Sequence, residues 1–153
     1  MNIVAELERQ YFEIENEYAA KEFQARARGY VTQENRWRRK RELNTHAYFL
    51  FAFTQLEAHI RTHSIALIQN KRAAIAHWKT KAIWENTDTE NIHLMKRAGL
   101  LTAKGHIAYN KIKGYYDRRN DIAHGNIIPG ITVAINMIDV FSDIKGFLRT
   151  LRG

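Results

Sequence analysis

Apolar residues recur along this chain at intervals of three and four rather than two, the spacing of one face of an α-helix. In the first segment Leu7, Tyr11, Ile14, Tyr18 and Phe23 follow it and predict a helix from about Asn2 to Arg28, ended by Gly29. "GYVTQEN" then reads as a short connection, with Thr32 or Asn35 capping a second helix that runs from near Asn35 to about Asn70. Phe49, Phe53, Leu56, Ile60 and Leu67 form its apolar stripe, and Tyr48 and Phe51 widen it, so this helix is expected to be central. The Tyr48–Phe53 aromatic cluster reads as core or dimer interface rather than as a cofactor pocket.

A further helical piece covers "KRAAIAHWKTKAIW", with Ile75, Trp78 and Ala82 inward. Thr87 followed three residues later by Glu90 predicts a capping box and a short helix to about Ala98, closed by Gly99. Thr102 is expected to open a helix that reaches His124, with Gly125 as the left-handed residue beyond it. "NIIPG" reads as a turn, and the last helix is expected from about Thr132 to Leu151, with Met137, Ile138, Phe141, Ile144, Leu148 and Leu151 on one face. No strand pattern, repeat or linker competes. The expected fold is a single all-α domain over residues 1–153, an up-and-down bundle of four main helices with one or two short ones.

Composition agrees with this reading. Of 153 residues 45% are apolar, 8 are glycine and one is proline, Pro129, which suits a globular helical chain. The formal net charge of +8 gives the chain an electrostatic reason to meet polyphosphate, most commonly nucleic acid. The absence of cysteine excludes disulfides, thiolate zinc sites and cysteine nucleophiles. The start "MNIVAELERQ" does not read as a secretory signal, and no window approaches the roughly 18 apolar residues of a membrane span, so the cytoplasm is the expected location.

Candidate chemistry concentrates in "YYDRRNDIAHGN", Tyr115 to Asn126. On a helix Asn120 and Asp121 lie four and three residues before His124, close enough to touch it. Arg119 lies five before it, about 140° around the helix, and so flanks the histidine. At a helix C-terminus the dipole favours imidazolium, and Asp121 acts in the same direction. A histidine tuned in this way suits proton exchange near neutral pH, and a guanidinium fork suits a pair of phosphate oxygens. Asn120 can orient the imidazole or the substrate. An acid-base histidine beside a phosphate clamp is sufficient for metal-independent RNA cleavage by 2′-OH attack. One histidine serves one of the two proton transfers at a time, so a single motif per chain suggests a homodimer with a composite site.

"RNDIAH" resembles the R-x4-6-H motif of the HEPN superfamily, in which a polar residue, often asparagine, follows the arginine; Arg119, Asn120 and His124 stand at those positions. The long aromatic-rich helix "AYFLFAFTQLEAHI" before it is also HEPN-like. The resemblance implies a four-to-five-helix bundle that dimerises with its motifs facing each other. In many members it implies a metal-independent endoribonuclease of toxin–antitoxin, abortive-infection or other defence systems, with an antitoxin or other neutralising protein as a partner. Some HEPN toxins carry a tyrosine two residues after the histidine, where a partner nucleotidyltransferase adds AMP; Asn126 stands there in this chain. Other members are non-catalytic and bind RNA or protein, which is the alternative function. A helical DNA-binding regulator ranks last, for want of a helix-turn-helix signal.

Other candidates have plainer readings beside them. Arg119, Asn120 and His124 also fit a polar helix end with a capping histidine. Arg118 and Asp121 read as substrate or surface contacts, and Lys111 and Lys113 add charge that steers RNA towards the motif. In "RWRRKR" five positive residues, Arg36, Arg38, Arg39, Lys40 and Arg41, surround Trp37. They read either as a solvated helix start or as a backbone-binding patch with Trp37 stacked on a base. Glu57, beside the central stripe, reads as an ordinary half-exposed acid or as the partner of an arginine such as Arg119. His59 and His63 have the i, i+4 spacing of a zinc pair but lack a third ligand, so neither metal nor cofactor is expected. His46, His77, His93 and His106 suggest no partners.

Overall fold

The computed structural model describes residues 3–74, 77–125 and 134–152. Among them the chain is an all-α helix bundle without a strand, as its periodicity predicts. Its elements are α1 (Ile3–Ala27), α2 (Val31–Ala74), α3 (Trp78–Glu85), α4 (Leu94–Leu101), α5 (Ile107–Ala123) and α6 (Met137–Thr150). Four helices are long and two, α3 and α4, span 8 residues each. The chain divides into two compact units, residues 1–53 with 119–145, and residues 54–118 with 146–153.

In the first unit, α1 and the start of α2 form an antiparallel hairpin. Gly29 adopts φ 71°. The Gly29 N–H donates to the Arg26 carbonyl at 3.0 Å and the Tyr30 N–H to the Ala25 carbonyl at 2.9 Å, the two bonds of a Schellman cap. Tyr30 already accepts from the Glu34 N–H at 3.0 Å, so the residue that closes α1 also opens α2. The second helix therefore begins at Val31, not near Asn35, and Thr32 and Asn35 lie inside it rather than capping it. Running down the hairpin, Arg26 meets Glu34, Glu22 meets Arg38, Tyr18 meets Trp37, Glu15 meets Arg41, and the Tyr11 hydroxyl meets that of Thr45. The first part of α6 runs antiparallel to α1: Lys145 holds both carboxylate oxygens of Glu8 at 3.0 and 2.7 Å, and Phe141 packs against Tyr11.

Phe49 and Phe53 of α2, Val4 and Tyr11 of α1, and Met137, Val140, Phe141 and Ile144 of α6 are buried. Phe51, placed beside the stripe, is 54% exposed, and two further predicted inward positions also point outward: Phe23 is 69% exposed and Ile138 is 62% exposed. Their places on the buried faces are taken by Glu22 and Val140.

In the second unit, Leu56, Ile60, Ser64 and Ile68 carry the buried face of α2 onward, with Ala98, Ala108, Ile112, Phe147 and Leu151 also buried. Trp78 is exposed and α3 buries none of its residues, contrary to the inward placement of Trp78. Arg72 holds the end of α3, donating to the Trp84 and Thr87 carbonyls at 2.8 and 2.7 Å, where a cation complements the carbonyl end of a helix. No capping box forms at Thr87, whose hydroxyl donates back to the Ile83 carbonyl at 2.7 Å. Asp88 makes a local turn with Glu90 and Asn91 in its place. The following helix starts at Leu94 and passes through Gly99 to Leu101. Its cap is His93, whose Nδ1 accepts from the Met95 N–H at 3.3 Å while its Nε2–H donates to the Tyr116 hydroxyl at 2.8 Å. His106 caps α5 in the same way, accepting at Nδ1 from the Ala108 N–H at 3.2 Å, so α5 begins at Ile107 and not at Thr102. Ile75, the "NIIPG" turn and Thr132 lie outside the described residues.

Candidate functional site

The motif residues Arg119, Asn120 and His124 belong to the last turn of α5 and the residue just beyond it. Ile122 is buried at 9% exposure and anchors this turn. Arg119 and Asn120 are half-buried, while Asp121 and His124 are exposed. The helix ends at Ala123; the His124 N–H still donates to the Asn120 carbonyl at 2.9 Å, and Gly125, at φ 72°, takes the predicted left-handed position. His124 thus keeps helical register while standing at the carbonyl end of α5.

The side chains pair in a way that spacing alone leaves open. Arg119 Nη1 donates to Asn120 Oδ1 at 3.1 Å, so the asparagine oxygen is spent on the arginine rather than on the imidazole. A guanidinium tied at one corner loses part of its rotational freedom and presents its remaining N–H groups in a narrower set of directions. Chemically this is a partly fixed anion clamp on one side of the helix and an accessible imidazole at its end.

The neighbouring cations differ in availability. Lys113 is exposed and pairs with Asp117 at 3.2 Å, a surface i, i+4 pair. Lys111 is exposed, and Arg118, seven residues on and so on nearly the same face of α5, is half-buried.

The basic collar is largely paired with carboxylates, although Arg36, Arg38 and Arg39 are exposed. Arg41 donates from Nη1 to Glu22 at 2.8 Å and from Nε to Glu15 at 2.7 Å. Arg38 donates to Glu34 at 2.8 Å and Arg39 to Glu42 at 2.9 Å. Trp37 packs on Tyr18 with ring centroids 5.6 Å apart, and the ammonium groups of Lys40 and Lys21 lie 4.2 and 4.8 Å from its ring. Arg36 is exposed. Most of the charge that the sequence offers to a phosphate backbone is therefore opposed by carboxylates of α1 and α2. Glu22, at 5% exposure, is the hub. Burial pushes its carboxyl pKa up, but the guanidiniums of Arg41 and Arg38 together hold it below the ordinary value.

Glu57 lies in the second unit. It lines a cleft with Thr54, Arg61, Glu90 and Arg97, a grouping that the sequence did not suggest. The rings of His59 and His63 lie tilted against each other with centroids 4.2 Å apart, and His59 Nε2–H donates to the Leu151 carbonyl at 2.7 Å. No group of three metal-ligating side chains occurs among the described residues. No helix among them is long and apolar enough to cross a membrane.

Comparison with protein-family models, with curated proteins and with solved structures found no match to this chain.

Proposed function

We propose that the chain is a HEPN-type, metal-independent endoribonuclease that works as a homodimer in the cytoplasm, as a toxin or defence effector. The observation that carries this reading is the last turn of α5: an arginine held by the adjacent asparagine at 3.1 Å, followed in helical register by an exposed histidine at the helix end. In the proposed reaction His124 takes the proton of a ribose 2′-OH, and the 2′-oxygen attacks the adjacent phosphorus. Arg119 stabilises the charge that builds on the phosphoryl oxygens. The 5′-oxygen departs with a proton supplied by the twofold-related His124, leaving a 2′,3′-cyclic phosphate. Asn120 positions Arg119. Arg118, Lys111 and Arg36 supply the phosphate-facing charge, and a neutralising protein is the expected partner in a toxin setting.

The test is cleavage of single-stranded RNA by purified protein in EDTA. Wild type should generate 2′,3′-cyclic phosphate ends, and His124→Ala should abolish cleavage while remaining dimeric. Wild-type rates in that variant, or a strict Mg²⁺ requirement, overturn the assignment. Saturable, steeply salt-dependent RNA binding without cleavage under any condition would instead identify a non-catalytic binding module.

A further inference from the structure

Arg97 of α4 is 4% exposed, and among the described residues its hydrogen-bond acceptors are all neutral. Nε donates to the Ile92 carbonyl at 2.9 Å, Nη2 to the Thr89 carbonyl at 2.6 Å and the Glu90 carbonyl at 3.3 Å, and Nη1 to the Ser64 hydroxyl at 3.2 Å. Ser64, fully buried on α2, donates in turn to the Arg61 carbonyl at 3.0 Å. These bonds fix the guanidinium in place, and among the described residues none of them runs to a carboxylate, an arrangement that is costly in a protein interior. Burial holds the Arg97 pKa below the ordinary arginine value, and Arg61 acts in the same direction against a weaker opposing effect from Asp88.

Arg97 lines an open cleft of about 400 Å³, within the range of small-molecule sites. Arg61, exposed and without a salt bridge among the described residues, lines the same cleft. Arg61 offers its guanidinium fork and Arg97 the one N–H on Nη1 that its internal bonds leave over, a set of donors that suits a phosphate group. A bare phosphate is incomplete as an occupant, because the acidic residue Glu90 borders the cleft as well. The occupant that satisfies both signs carries a phosphate at one end and N–H donors at the other, and Ile92 and Leu94 offer apolar surface for a flat ring.

We propose that this cleft binds a nucleotide, with the guanidiniums of Arg61 and Arg97 on its phosphate and the Glu90 carboxylate on the N–H edge of its base. Guanine is the favoured base, since one carboxylate accepts from its N1–H and N2–H together. The same chemistry is presented by a free mononucleotide and by the 5′-phosphorylated end of an RNA. The site uses no residue of the Arg119–His124 motif and stands independently of the ribonuclease reading.

Isothermal titration of the full chain tests it. 5′-GMP should bind once per chain, and guanosine and inorganic phosphate should each bind at least tenfold more weakly. Arg61→Gln, a change at an exposed position, should weaken 5′-GMP at least tenfold, and Arg97→Lys should do the same without lowering helix content. His124→Ala and Arg119→Ala should leave the affinity unchanged. Displacement of 5′-GMP by a 5′-phosphorylated oligoribonucleotide assigns the site to an RNA end, and failure of that displacement assigns it to a free mononucleotide. No heat of binding at millimolar 5′-GMP, equal affinity in Arg61→Gln, or loss of binding in Arg119→Ala overturns the proposal.

Discussion

Replacing Glu22 by glutamine keeps the side-chain shape and removes one buried negative charge. The carboxylate, at 5% exposure, receives Arg41 at 2.8 Å, Arg26 at 3.1 Å and Arg38 at 3.5 Å, the last at the edge of hydrogen-bond range. Removing one partner of a fully buried ion pair costs about 3–5 kcal/mol. Two features reduce that here. The arginine side chains are 37–58% exposed, so water screens them, and Glu15 and Glu34 still hold Arg41, Arg38 and Arg26 after the change. One good charge-assisted bond lost from a buried acceptor leaves a cost of about 2 kcal/mol, which for a chain of this size lowers Tm by about 4–8 °C. Because the Glu22 pKa is depressed in the folded chain, its stabilisation is present above the unfolded carboxylate value of about 4.3 and is lost as pH falls through the folded value. Urea denaturation followed by circular dichroism at pH 7 and again at pH 3 reads both effects. A loss below about 0.5 kcal/mol at pH 7 would refute the hub role of Glu22. Adding Glu15→Gln and Glu34→Gln removes the carboxylates that still hold Arg41 and Arg38, and should steepen the salt dependence of single-stranded RNA binding by about 0.7 in log–log slope for each arginine released. An unchanged slope in that triple variant would refute the structural role of these two arginines.

Other substitutions probe separate features. Burial holds the His59 pKa below its ordinary value, with the Leu151 bond opposing and His63 reinforcing; the unfolded chain therefore takes up this proton first. Its contribution to stability should be complete above about pH 6.5 and decline as pH falls from there towards the folded value, and His59→Gln should flatten that part of the stability–pH curve measured by thermal denaturation. Gly29→Ala forces a Cβ into φ 71° and should cost about 1 kcal/mol in urea titrations, although no atom lies within 4 Å of the added carbon. Asn136 caps α6, accepting from the Ile138 N–H at 3.1 Å and donating to Asp139 at 2.8 Å, so Asn136→Ala should also cost about 1 kcal/mol by the same measurement. Asn120→Ala should slow RNA cleavage while leaving the fold intact, because it frees the Arg119 guanidinium to wander; an unchanged rate would show that the 3.1 Å bond does not matter to catalysis.

The helices were legible wherever one apolar face repeats, because burial of such a face is what selects the helix. Phe49, Phe53, Leu56 and Ile60 were read as core and are fully buried. What failed was what apolar periodicity does not encode. Glu22, Ser64 and Arg97 occupy buried positions as polar groups whose partners come from distant parts of the sequence, such as Arg41 for Glu22 and Ser64 for Arg97. Helix starts failed for a related reason. The caps of α4 and α5 are histidines acting through Nδ1, outside the Ser, Thr, Asp and Asn set that marks N-caps, so Thr87 and Thr102 drew the boundaries instead. The Arg119 motif was legible because it lies within two turns of one helix, where spacing alone fixes neighbours. The Arg61–Arg97 cleft was not, since it is assembled from α2, α4 and the loop between Thr87 and His93.

The same helical arithmetic bears on why the proposed nuclease needs two copies. His124 keeps the register of α5 through its bond to the Asn120 carbonyl, so its direction follows from the helix. Five residues separate it from Arg119, which places the two side chains about 140° apart around the axis. The Asn120 contact draws the guanidinium towards the next residue rather than down the helix towards His124. Clamp and base on one chain therefore address different directions, and a single phosphate gripped by one Arg119 is poorly placed for the His124 of the same chain. A twofold axis beside the end of α5 resolves the mismatch, because the histidine of one copy can then face the arginine of the other. It also supplies the second imidazole that protonation of the leaving 5′-oxygen requires. Mixed dimers carrying His124→Ala on one chain and Arg119→Ala on the other would then keep at most one complete pairing. Such a dimer also lacks one of the two imidazoles, so activity above that of either inactive parent would show that the pairing crosses between chains, and a wild-type rate would refute the need for a second imidazole.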